Sequence, residues 1–94
     1  MQEQLQQKEI ALQERQRRLL FRASHRGLKE LDIVLGQYAA AHLPSMDQHT
    51  LDEFEALLQF EDRDLLQWIL REVPVPKALD SHLFQDILNY KITF

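Results

Sequence analysis

The sequence lacks cysteine, and its 94 residues include only two glycines, three prolines and no long apolar run. Without cysteine there is no disulfide framework and no thiolate chemistry. No apolar run approaches the roughly 18 residues of a membrane span. The first 18 residues have no apolar segment typical of a secretory signal, and their three glutamates and absent serine make a poor transit peptide. We therefore expect no membrane insertion, and the lack of cysteine fits a reducing compartment.

Length and charge narrow the class further. A chain of 94 residues forms one small domain with a thin core and little room for an enclosed active site. The net charge of −4 is unevenly spread, since residues 1–30 hold seven Lys and Arg against four Glu (+3) and residues 31–94 hold four against eleven Asp and Glu (−7). The basic end could contact nucleic acid, an anionic membrane or an acidic protein. The acidic remainder argues against nucleic acid.

The first 25 residues predict a helix, because Gln, Glu, Arg and Leu are good helix formers. We expect a solvated or frayed N-terminal helical extension over residues 1–14. A packed helical segment over 15–25 would then open a single domain spanning 15–94. Leucines recur every seven residues, but the positions between them are polar, so the coiled-coil signal is weak. Gly27 predicts the end of this helix, because helices often end with a residue at positive φ.

The remaining pattern predicts an all-α fold, a compact bundle of about five short helices with the extra N-terminal helical extension. In chain order we expect a helix over 28–42, a helix capped by Ser45 or Asp47, a helix capped by Asp62, a stiff linker at 73–76, a helix from 77 or 79 to 90, and a tail ending the chain. The apolar residues at helical spacing predict the core, namely Leu19, Leu20, Ala23, Leu28, Leu31, Val34, Leu35, Tyr38, Leu51, Phe54, Leu57, Leu58, Leu65, Leu66, Trp68, Ile69, Leu70, Leu79, Leu83, Phe84, Ile87 and Leu88.

Residues that carry chemistry are scattered. The four histidines form no metal-ligand spacing, no serine lies in a nucleophile-elbow setting, and no Gly-rich loop could hold a phosphate. The acidic residues Glu61, Asp62 and Asp64 are typical of a helix N-terminus, where carboxylates complement the helix dipole. We therefore expect no enzyme activity, no metal and no cofactor bound by this chain itself.

Residues 15–26, RQRRLLFRASHR, are the basic run, and several interpretations stay open. A solvated helix face whose apolar side enters the core is the plainest. Protein docking is the next. Nucleic-acid binding needs stacking aromatics, and only Phe21 is present. A membrane-surface helix needs a larger apolar face than this run offers.

The stretch HRGLKELD, residues 25–32, combines a glycine with charges on both sides. As a helix junction, Gly27 would adopt positive φ, and Glu30 would lie in the first turn of the next helix. Gly27→Arg would then lose about 1 kcal/mol or more of stability. As a docking site, Gly27 would let another backbone come close, with Arg26 as donor and Glu30 as acceptor. In that case Gly27→Arg would leave the fold intact and abolish docking.

The same residues resemble a known family, the small FAD assembly factors, or flavinators, of succinate dehydrogenase in bacteria and mitochondria. Its signature Arg-Gly-x-x-Glu matches residues 26–30. The lead-in RRLLFRASHRG, the LD that follows, and the downstream segment LDEFEALLQFEDRDLLQWI are also similar to the family. The resemblance covers roughly residues 15–90.

The resemblance implies a five-helix assembly factor, or chaperone, without catalytic residues. It would bind the flavoprotein subunit of succinate dehydrogenase, and that of fumarate reductase as a second expectation, and promote covalent attachment of FAD to that partner. The implied partner contacts are Arg26, Gly27 and Glu30, with His25, Lys29 and Asp32 as weaker candidates. We expect a monomer in the bacterial cytoplasm, or in the mitochondrial matrix of a eukaryote. The alternative is a generic small helical interaction module with no role in flavinylation.

Overall fold

Five α-helices and two short 3₁₀ turns form the part of the chain that the computed structural model describes, residues 2–90 for the backbone and 6–90 for side chains. In chain order they are α1 (Gln2–Ser24), α2 (Lys29–His42), a 3₁₀ turn (Leu43–Ser45), α3 (Gln48–Leu57), α4 (Asp62–Ile69), a second 3₁₀ turn (Lys77–Leu79) and α5 (His82–Leu88). No strand occurs within these residues, and the all-α prediction is confirmed. The tail was expected over YKITF, residues 90–94, of which residues 91–94 lie outside the described residues.

The first helix is continuous, where the sequence predicted a frayed segment and a packed one. Residues 6–11 are exposed, but Leu12 already packs against the core. One turn later, Arg15 Nη2 reaches Asp52 at 2.6 Å and Glu55 at 3.0 Å, which ties α1 to α3. A domain boundary after residue 14 stays a prediction.

The core receives side chains from every helix. The largest fully buried ones are Leu19, Leu31, Leu35, Leu51, Phe54, Leu65, Phe84 and Ile87. Trp68 is also buried, at 8% exposure, as its helical spacing predicted. Gly36 lets α1 and α2 approach closely, because a Cβ at this position would stand 3.0 Å from the hydroxyl oxygen of Ser24. The resulting scaffold fixes where the connection between α1 and α2 emerges at the surface.

Three local predictions were wrong. Asp62 does not cap α4, since the capping position is occupied by Glu61, which makes no side-chain cap hydrogen bond. The last helix does not start at 77 or 79 but at His82, because Ser81 accepts the backbone N–H of Phe84 and caps a new helix there. Leu70, expected in the core, follows the last residue of α4 and is 53% exposed.

Asp47 does cap α3 by accepting the Thr50 N–H at 2.8 Å, as one of the two predicted alternatives. This hydrogen bond lowers the pKa of Asp47 below its usual value.

Candidate docking site at the junction of α1 and α2

Gly27 lies at an exposed break between two helices, after α1 has ended at Ser24 and before α2 begins at Lys29. Its φ is +98°, a backbone conformation that L side chains rarely adopt, so the predicted positive φ is confirmed. A Cβ built on Gly27 would meet nothing within 4 Å. The position therefore combines two properties. The backbone strains any side chain placed there, and the space around it is open.

Arg26, immediately before the glycine, folds back onto the body of the protein. Its Nε donates to Asp62 at 2.5 Å, at the start of α4. Its Nη1 and Nη2 donate to the carbonyl oxygens of Leu58 at 2.8 Å and Phe60 at 2.7 Å, in the turn between α3 and α4. Only 12% of the side chain is exposed. The guanidinium is thus a clamp that holds the junction to this turn, and its fork of donors is directed inward.

Asp32 completes the clamp from the other side of the glycine. Its carboxylate accepts the backbone N–H of Arg26 at 2.6 Å, and its own N–H donates to the carbonyl of Leu28 at 2.8 Å. Residues before and after Gly27 are therefore joined by hydrogen bonds. Asp32 and Arg26 fix the path of the exposed backbone between them.

The outward side of the junction is formed by Lys29 and Glu30, in the first turn of α2. Both side chains are exposed, and neither has an ion pair or hydrogen bond within the described residues. Glu30 also suits the positive end of the α2 dipole. Two free groups of opposite charge therefore stand beside an open stretch of backbone at Gly27.

His25 and Phe21 border the junction on the α1 side. Their rings stack with centroids 4.1 Å apart and planes at 16°, and His25 Nδ1 lies 2.9 Å from the Phe21 carbonyl oxygen. Phe21 is 63% exposed although it is a large apolar residue. A shallow groove runs from this pair past Arg22 and Arg26 to Asp62.

The structure divides the six sequence-predicted site residues into two sets. Gly27, Glu30, Lys29 and His25 reach the surface together, whereas Arg26 and Asp32 are engaged within the chain. Sequence reasoning missed Asp62, because a contact across 36 residues leaves no local signal. It also did not include Phe21 among the expected contacts, although the structure stacks the Phe21 ring on His25.

Other kinds of site find no support in the described residues. No group of three or more His, Cys, Asp or Glu among the side chains described, residues 6–90, could hold a metal ion. None of the helices described is long and apolar enough to cross a membrane. The junction itself presents exposed backbone at Gly27, the charged side chains of Lys29 and Glu30, and the stacked rings of Phe21 and His25.

Comparison with known proteins shows the family of the chain. Residues 17–91 match the model of a family described as flavinator of succinate dehydrogenase, and the matched range contains the whole junction and Asp62. The chain belongs to this family. The resemblance drawn from the Arg-Gly-x-x-Glu stretch is therefore confirmed.

Individual relatives come from bacteria and mitochondria. The FAD assembly factor SdhE of Acetobacter pasteurianus is 38% identical over 63 residues, which cover 67% of this chain and 58% of the relative. The mitochondrial succinate dehydrogenase assembly factor 2 of Arabidopsis thaliana is 33% identical over 75 residues, 80% of this chain and 40% of the relative. That of Candida glabrata is 36% identical, with 71% and 46% covered. The chain thus spans about half the length of the curated relatives it matches.

Proposed function

We propose that this protein is an assembly factor that docks on the flavoprotein subunit of succinate dehydrogenase and promotes covalent attachment of FAD to it. The observation that carries the proposal is the exposed junction at Gly27, with open space around the glycine and two unpaired charges beside it, in a member of the flavinator family. A glycine at the surface lets a partner's backbone come within contact distance. Glu30 and Lys29 then supply an acceptor and a donor to that backbone or its side chains.

The clamp around Arg26 supports this role by ordering the junction before the partner arrives. A loop held in its bound conformation loses less entropy on binding, so affinity gains from preorganisation. In this proposal Arg26 and Asp32 contribute by holding the junction, while Gly27, Glu30, Lys29 and His25 make the contacts.

The chemistry in this proposal takes place on the partner. FAD is the substrate of the attachment, and the bond forms in the active site of the flavoprotein subunit. The assembly factor stabilises a conformation of that subunit in which the reacting groups are oriented, which is a positioning effect. No residue of this chain reacts, and no cofactor is held by it.

The proposal extends to the setting of the protein. The same surface would dock the flavoprotein subunit of fumarate reductase, and the chain would act as a monomer. Its location would be the bacterial cytoplasm, or the mitochondrial matrix in a eukaryote, and relatives of both origins are compatible with either. Light scattering of the purified chain at micromolar concentration tests the oligomeric state, and a dimer mass would overturn the monomer.

Covalent flavin on the partner is the decisive measurement. Apo flavoprotein subunit is incubated with FAD, with and without the wild-type chain, then denatured and examined by in-gel flavin fluorescence. We expect a fluorescent band that depends on the chain and weakens with Glu30→Gln. Equal fluorescence with and without the chain would leave the alternative, a helical interaction module that has no role in flavinylation.

Gly27 offers a matched pair of variants that separates docking from stability. Gly27→Ala and Gly27→Arg carry the same positive-φ strain, about 1–2 kcal/mol. The Cβ that both variants add meets nothing within 4 Å. We expect similar melting temperatures for the two variants but lost partner binding only for Gly27→Arg, whose long side chain occupies the docking surface. Equal loss of binding in both variants would assign Gly27 to the fold alone.

A further inference from the structure

The outward face of α1 carries a stripe that the Arg-Gly-x-x-Glu motif does not include. We define the aromatic-basic stripe as Arg17, Arg18, Phe21 and His25. Arg17 and Phe21 are four residues apart and lie in line on one face of α1. His25, just past the end of the helix at Ser24, continues this line by stacking on Phe21. Arg17, Arg18, Phe21 and His25 are all exposed, while Leu19, on the opposite face, is buried at 1% exposure.

Phe21 is the apolar centre of this stripe. A single exposed apolar residue is ordinary on a protein surface. Phe21 differs because its ring is held by the stacked ring of His25 and borders the groove that leads to Arg26 and Asp62. A ring that is already fixed loses little conformational entropy when a partner covers it. It therefore has the properties of an anchor that binding would bury.

The charges beside Phe21 indicate what would cover it. Arg15 and Arg22 are paired with acidic residues of α3, but Arg17 and Arg18 have no partner within the described residues. Glu14 lies one turn before Arg17, but the two arginines outweigh its single negative charge, so the net charge of this face is positive. A long polyanion such as nucleic acid would also meet the −7 charge of residues 31–94. A folded acidic surface can engage the stripe alone, and attraction between the two would speed their encounter.

We propose that the aromatic-basic stripe extends the docking surface from the junction along α1. It receives an acidic segment of the flavoprotein subunit that places an apolar side chain in the groove beside Phe21. This inference rests on the proposed function, since the stripe and the junction are continuous through His25 and Arg26. Phe21 supplies burial and determines the dissociation rate, whereas Arg17 and Arg18 determine the association rate.

The test measures binding of the full chain to the purified flavoprotein subunit by surface plasmon resonance at two ionic strengths. Phe21→Ala should weaken binding by roughly tenfold or more through faster dissociation. Its melting temperature should move by less than about 3 °C, because the side chain is mostly exposed. Leu70→Ala is the matched control, since Leu70 is an apolar residue of 53% exposure at the far end of α4 from Asp62. It should bind like the wild type.

The charged pair is tested in the same way. Arg17→Gln combined with Arg18→Gln should slow association at low salt and flatten its salt dependence, while Lys77→Gln, an exposed cation on another part of the chain, should do neither. A photo-crosslinking p-benzoylphenylalanine in place of Phe21 should label a peptide of the partner rich in Asp and Glu.

Each outcome decides the inference. Wild-type binding with Phe21→Ala indistinguishable from Leu70→Ala would overturn the stripe and leave the proposed function standing. No binding by the wild type would overturn both. Two other probes are vesicles of phosphatidylserine and phosphatidylcholine and a single-stranded oligonucleotide. If either binds the wild type as tightly as the flavoprotein does, and Phe21→Ala weakens that binding, the inference is overturned, because the occupant is then not an acidic protein segment.

Discussion

The Arg26 clamp makes a quantitative prediction about stability. Arg26→Ala removes one charge-assisted hydrogen bond to Asp62 and two donations to the carbonyls of Leu58 and Phe60. Hydrogen bonds to charged groups contribute about 1.5–3 kcal/mol each, and bonds sharing one guanidinium are not additive. We expect a loss of about 2–4 kcal/mol in the free energy of unfolding. For a chain of this size that lowers Tm by roughly 10 °C or more.

The assay is a double-mutant cycle by urea unfolding with Arg26→Ala, Asp62→Ala and the double variant. The cycle cancels the loss of the α4 dipole interaction, which Asp62→Ala alone would include. The matched control is the cycle for Arg15 and Asp52, whose contact is equally short at 2.6 Å.

Exposure decides which pair is stronger. The side chains of Arg26 and Asp62 are 12% and 30% exposed, against 22% and 69% for Arg15 and Asp52. Water screens an exposed pair, so we expect a coupling energy of about 1–2 kcal/mol for the clamp and less than about 1 kcal/mol for the control. A clamp coupling equal to or smaller than the control would refute the argument that burial and inward geometry make Arg26 structural.

Three further predictions concern other parts of the molecule. Burial and the hydrogen bond to Asp86 raise the pKa of Tyr38, so its contribution to stability is complete below about pH 10 and falls as the pH rises further. Between pH 8 and 10.5, the free energy of unfolding should therefore fall less for Tyr38→Phe than for the wild type. Arg71 has φ +61° after the end of α4, a conformation that glycine adopts without strain. Arg71→Gly should therefore raise the free energy of unfolding by about 0.5–1 kcal/mol, and an unchanged or lower Tm would contradict this. Removing residues 1–11, whose described side chains are exposed, should shift Tm by only a few degrees. The mass in solution should be that of a monomer before and after the truncation; a dimer that the truncation converts to a monomer would indicate self-association through α1.

Local patterns in the sequence determined most of the helices and much of the core. Periodic apolar residues predicted the buried faces of α2 and α3, because a residue's side in a helix follows from its spacing. Gly27 marked the break after α1, since few residues other than glycine adopt positive φ without strain. The same pattern could not show that Leu70 lies past the end of α4, because exposure there depends on where the helix stops.

The sequence by itself predicted a break between two helices at the motif of residues 26–30, and its resemblance to the flavinator family was confirmed. Only the tertiary structure decided which motif residues face outward. The sequence predicted that Arg26 would be a free donor beside Gly27 and that Asp62 would cap a helix. In the fold, Arg26 Nε instead donates to Asp62 Oδ1 at 2.5 Å. Helix spacing describes neighbours three or four residues apart, whereas this contact spans 36 residues and forms only when the junction meets the start of α4 in the folded chain. The ion pair with Asp62 holds the Arg26 side chain against the protein, whereas Gly27 and Glu30 remain at the surface.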